Sequence, residues 1–141
     1  MTRQEQIATE VRKHDWLVFK IVDEELPLFA YTVGLYATFN HPEIIISGIT
    51  IDTAQDILNG LGTEIRNGNV RKADVRYDDI LVGYDCIFKY VADSKYDAFL
   101  GQAMAYYNDQ HIPVLQCVYP DKKGRFPWEQ GYRLTYQELL Y

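Results

Sequence analysis

Three consecutive isoleucines, in Glu43-Ile44-Ile45-Ile46-Ser47, constrain this chain more than any other stretch. β-Branched side chains favour extended backbone. A run that is apolar at odd and even positions alike has no polar face to offer water, so it reads as a strand buried on both faces. A sheet must therefore form around it.

The partners of that strand lie on either side of it in the sequence. Trp16-Leu17-Val18-Phe19-Lys20-Ile21-Val22 is rich in aromatic and β-branched residues and reads as a strand. Asp23-Glu24-Glu25, closed by Pro27, is a turn, and Phe29 to Leu35 returns antiparallel, because a short link favours a hairpin. Further strands are predicted at 74–82 and 84–91, joined at Gly83, and at Val114 to Tyr119. Helices are predicted over 2–14, where Thr2 and Glu5 have capping-box spacing, and from Asp52 or Thr53 to Gly68. Ala54, Ile57, Leu58, Leu61 and Ile65 form the apolar stripe of the second, whose Gly60 and Gly62 suit close approach to the sheet. A third helix opens at Ser94, with Phe99, Leu100, Ala103, Met104 and Tyr107 as its inner face, and Thr135 with Glu138 has the spacing to cap a short last one. This order is neither a βαβ alternation nor all-β. It predicts an α+β fold, a mostly antiparallel sheet with two to three helices packed on it.

At 141 residues, with 48% hydrophobic and 24% charged side chains, the chain matches one soluble domain spanning 1–141. Twenty acidic against fourteen basic residues give a net charge of −6, which argues against nucleic acid or an anionic membrane as partner. Two cysteines, Cys86 and Cys117, sit in apolar runs and read as buried thiols. With no leader pattern and no run near the ~20 apolar residues that cross a bilayer, a cytoplasmic location is expected.

Two segments stand out chemically. In the first, Tyr31-Thr32-Val33-Gly34-Leu35 leads to His41-Pro42-Glu43, where a proline restricts the chain around an imidazole and a carboxylate. In the second, Gln116 precedes Tyr119-Pro120-Asp121-Lys122-Lys123-Gly124-Arg125-Phe126-Pro127-Trp128, a strand end followed by a tight turn and an aromatic-proline return. Each also admits a structural role: His41 satisfying loop carbonyls, Asp121 capping its own turn, Phe126 and Trp128 plugging the core. Arg66, Arg71, Lys72 and Arg76 form a basic cluster, suited to an anion or to a solvated helix end and edge strand. Phosphate-loop, dinucleotide, zinc and serine-hydrolase motifs are absent, and no cofactor or metal is expected.

The two segments together resemble a bacterial family, the domain of unknown function 4262. The matching positions are Tyr31 to Leu35, His41-Pro42-Glu43, Gly48, Gln116, Pro120-Asp121, Gly124 and Phe126-Pro127-Trp128, in order, within a likeness running from Trp16 to about Gly131. The resemblance implies a set of family-defining positions, and it implies no activity, cofactor or catalytic set.

Two functional readings follow. The first is a non-enzymatic recognition protein, since twelve of its twenty aromatic residues are tyrosine and tyrosine suits interfaces. The negative charge favours a basic protein partner, and a toxin-neutralising immunity protein is one concrete version. The second is a small-ligand binder or enzyme whose pocket joins the two segments. There His41 is the acid–base group, Glu43 or Asp121 its orienting or metal-binding carboxylate, and Tyr31, Thr32, Gln116 and Trp128 line the ligand site. A flavin-binding split barrel is a variant of it, on the strand-rich order alone. This reading requires the two segments to meet.

Overall fold

The computed structural model describes residues 1–141. Helix α1, Arg3–His14, starts at a capping box in which Thr2 and Glu5 exchange side-chain and backbone bonds. Strands β1 (Leu17–Ile21) and β2 (Phe29–Val33) pair antiparallel, and a short helix α2 (Leu35–Phe39) leads to β3 (Glu43–Ser47). Helix α3 (Ile51–Arg66) follows, then the hairpin of β4 (Arg76–Leu81) and β5 (Tyr84–Tyr90), turning at Gly83. A 3-10 turn at Asp93–Lys95, helices α4 (Tyr96–Phe99) and α5 (Gly101–Tyr106), and β6 (Val114–Val118) complete the order.

The six strands lie in the order β1-β2-β3-β6-β5-β4, antiparallel throughout except for the central pair β3–β6. This is the expected α+β architecture. All five residues of β3 are buried, as are all of β2 and β6. Alternation along the strands then builds two cores. On one face Ala30, Ile44, Ile46, Cys86, Phe88, Leu115 and Cys117 pack under Ala54, Leu58, Leu61 and Ile65 of α3. On the other, Phe29, Tyr31, Val33, Ile45 and Val114 pack against Phe99, Leu100 and Ala103 of α4–α5 and against Leu140.

Helix α3 settles on the sheet where the sequence lacks a side chain. A Cβ at Gly62 would lie 2.4 Å from ring carbons of Trp16, whose indole N–H donates to Asn59 Oδ1 at 2.9 Å. Gly60 meets nothing and faces open space, so close approach accounts for Gly62 alone.

Three expectations need correction. The strand predicted over Phe29 to Leu35 ends at Val33, and Leu35–Phe39 is helical. The third helix is broken at Leu100 into two short pieces. No helix forms at 135–138. Its backbone is taken over by the sheet: the Glu138 carbonyl accepts from Ser47 Oγ and Gln116 Nε2, Leu140 N–H donates to Gln116 Oε1, and the Gln137 amide bonds both N–H and C=O of Tyr119.

Candidate functional site

Glu43 opens β3 and is fully buried, yet it faces no cation. Five donors meet it instead. Oε1 accepts from Thr32 Oγ1 at 2.8 Å and Leu35 N–H at 3.1 Å; Oε2 accepts from Gly34 N–H at 2.9 Å, Tyr36 N–H at 3.2 Å and the Tyr107 hydroxyl. The three N–H groups belong to the start of α2, which has no side-chain cap of its own. Glu43 supplies that cap from across the sheet. Burial pushes its carboxyl up, while Tyr107, Thr32 and the backbone donors pull it back. Tyr107 also accepts from Ala37 N–H, so its proton points at Glu43, and the donor set is that of a carboxylate.

His41 is equally occupied. Nε2 accepts from the Arg71 N–H at 2.9 Å, which places the ring proton on Nδ1, 2.8 Å from the Pro42 carbonyl. Burial lowers its pKa, and an imidazolium would present a second N–H to the Arg71 amide. The unfolded chain therefore takes up the proton more readily than the folded one. Stability contributed here is complete above the ordinary value of 6.5 and is lost as pH falls from there through the lower folded value. The expected result is a fall in stability between pH 7.5 and 5.5 in urea titrations. A His41→Gln variant should be flatter, since the exposed His14 and His111 remain in both proteins.

Arg71, placed by that bond, is the more unusual group. Its side chain is 3% exposed, and its guanidinium forks onto Asp79 at 2.8 and 2.9 Å while stacking 4.8 Å from the Tyr77 ring centroid. The Arg71 fork holds the Asp79 carboxyl below its ordinary value. The buried Arg71 Nε has no hydrogen-bond partner. An unpaired buried donor costs about 1–3 kcal/mol. Arg71 and Asp79 form one wall of a groove of about 460 Å³ between α3 and β4, whose other lining residues include Asp56, Ile57, Leu61, Glu64 and Ile80. Beneath the sheet face both cysteines are free and buried, and the Cys117 thiol is raised by its contact with Cys86 and by burial.

The second segment lies elsewhere. Glu43 is opposite Val114 at the start of the parallel pair, whereas Asp121 follows the end of β6 at Val118. The four strand steps between Val114 and Val118 alone span about 13 Å. His41 and Glu43 therefore stand at one end of the central strands and Asp121 and Trp128 beyond the other, and the expected shared pocket does not form. Of the proposed ligand-site residues, Thr32 and Glu43 touch. Tyr31 accepts from Gln102 N–H through its hydroxyl, and Gln116 holds Glu138 and Leu140. Asp121 binds the N–H groups of Lys123, Arg125 and Arg133 and the Arg125 Nε. Desolvation opposes its ionisation, but those bonds hold the carboxyl below its ordinary value. Trp128 is 46% exposed, stacked on Phe126 and under Lys89. Phe126 does plug the core, against Ile87 and Val118.

The residues missed from sequence are Asp56, Glu64 and Asp79. Asp56, Gly60 and Glu64 carried a signal, because a spacing of four places them on one helix face beside the apolar stripe. No group of three or more His, Cys, Asp or Glu side chains is arranged to hold a metal, and no helix is long and apolar enough to cross a membrane.

Comparison with curated proteins and with solved structures gives no match. Comparison with family models does: the model described as Domain of unknown function (DUF4262) matches residues 10–133, covering both motif segments. On that match the chain belongs to the DUF4262 family.

Proposed function

We propose that the protein is a recognition domain that binds a basic partner protein, taking a lysine or arginine side chain of that partner into the groove between α3 and β4. The observation that carries this reading is the groove's chemistry. Three carboxylates, Asp56, Glu64 and Asp79, face one guanidinium already committed to Asp79, beside an apolar floor of Ile57, Leu61 and Ile80. Long basic side chains bind in that way, with the stem on apolar surface and the charged head among acceptors. The groove sits on an acidic chain, so the wider field draws a basic partner towards it.

The acid–base alternative has less to stand on. His41, Glu43 and Asp121 each have their polar atoms engaged within the protein, and general acid–base work needs a group within hydrogen-bond reach of substrate.

Titration of the labelled protein with a blocked tripeptide carrying one central arginine, followed by NMR, tests the proposal. Amide shifts are expected to cluster at residues 56–64 and 79–81, to weaken as salt rises, and to disappear in the Asp56→Asn/Glu64→Gln double variant. Equal shifts with the citrulline counterpart, or none at low millimolar peptide, would overturn it.

A further inference from the structure

A second concave site lies at the far end of the sheet, and its charge is opposite. Lys122, Lys123, Arg125 and Arg133 line a cavity of about 370 Å³ together with Leu134, Tyr136 and Asp121. Four cations against one carboxylate gather there, in a chain whose net charge is −6. The sequence separates Arg133 from the others; the fold brings it back. Asp121 does this, because its carboxylate takes the backbone N–H groups of Lys123, Arg125 and Arg133 at 2.9, 2.9 and 3.2 Å. The same carboxylate fixes Arg125 through Nε at 3.0 Å, the only hydrogen bond that guanidinium makes. The side chains of Lys122, Lys123 and Arg133 form no ion pair or hydrogen bond with any acidic group. All three are exposed and free to meet an anion from outside the chain.

We propose that this cavity binds the phosphate group of a small phosphorylated molecule. Arg125 and Arg133 present planar donor forks, which match tetrahedral oxyanions. Lys122 and Lys123 add point charges, and Leu134 with Tyr136 offers an apolar and hydroxyl-bearing wall for the carbon skeleton that carries the phosphate. Asp121 is the positioning residue: saturated itself, it holds the loop and Arg125 in place. The loop is anchored further by the bonds Asp121 N–H to Arg125 C=O and Gly124 N–H to Asp121 C=O.

The test is calorimetric and NMR titration of the full chain with inorganic phosphate, a sugar phosphate and a nucleoside monophosphate, against sodium chloride at matched ionic strength. Saturable binding is expected below about 10 mM, with shifts confined to residues 121–125 and 133–136. Tighter binding of an ester than of inorganic phosphate identifies the carried group as the ligand; equal binding identifies free phosphate as the source. Arg133→Gln, whose side chain bonds nothing in the fold, is expected to weaken binding at least about tenfold, and Lys122→Gln/Lys123→Gln similarly. The same response to chloride, unchanged affinity in both variants, or no saturation would overturn the assignment. None of these results bears on the groove between α3 and β4, which lies on other elements.

Discussion

Replacing Glu43 with glutamine is expected to remove roughly 3–5 kcal/mol of stability, although the two side chains have nearly the same shape. The amide keeps one accepting oxygen. Its nitrogen then faces donors: if it takes the place of Oε2, Gly34 N–H, Tyr36 N–H and the Tyr107 hydroxyl all lose their acceptor. Each buried donor left unpaired costs about 1–3 kcal/mol. The measurement is a urea titration of parent and variant at pH 7.5, with Tyr107→Phe as a reference expected to lose only about 1–2 kcal/mol. A glutamine variant as stable as the parent would mean that Glu43 is protonated in the fold, and the account of how α2 starts would fail with it.

Deleting residues 137–141 should be at least as severe, above about 5 kcal/mol, which reaches the whole stability of many domains. Leu140 is fully buried in the second core, and losing such a side chain costs about 2–5 kcal/mol by itself. The deletion also strips Gln116 of both amide partners and Tyr119 of both backbone partners, while Ala92 N–H loses the Leu140 carbonyl. Near-UV circular dichroism and thermal melting provide the readout. A cooperative melt close to the parent's would show the segment to be a detachable cover. The Leu140→Ala variant separates the apolar share, expected at about 2–4 kcal/mol, from the polar one.

The parts of this fold legible in the sequence are those written locally. The isoleucine run announced an inner strand, Gly83 and the turn before Phe29 announced hairpins, and Thr2 with Glu5 announced a helix start. What was not legible depends on partners far along the chain. Leu35–Phe39 contains Tyr, Thr and Phe, which are indifferent helix formers. It is helical because Glu43 accepts its first N–H groups. The capping spacing of Thr135 and Glu138 was locally sound but lost to the amides of Gln116 and Gln137, which tie that stretch to β6 and to Tyr119. The sites follow the same rule. The His41 ring is held by the Pro42 carbonyl and the main-chain N–H of Arg71, thirty residues on, a partner that the local His-Pro-Glu pattern does not announce. Neither cavity has its lining in one stretch: one needs α3 beside β4, the other needs Arg133 folded back onto the turn after β6.

The parallel pairing of β3 with β6 joins Glu43–Ile45 to Val114–Gln116, about half the chain apart. During synthesis the first three strands can assemble early, because their partners are neighbours. The inner edge of β3, with three bare isoleucines, then waits for some seventy further residues before its mate leaves the ribosome. Such an exposed edge pairs readily with other chains. Yield of the intact protein should therefore be limited by how long nascent chains remain half-built, making slow translation between α3 and β6, or absence of a holding chaperone, the condition under which it is lost to inclusion bodies.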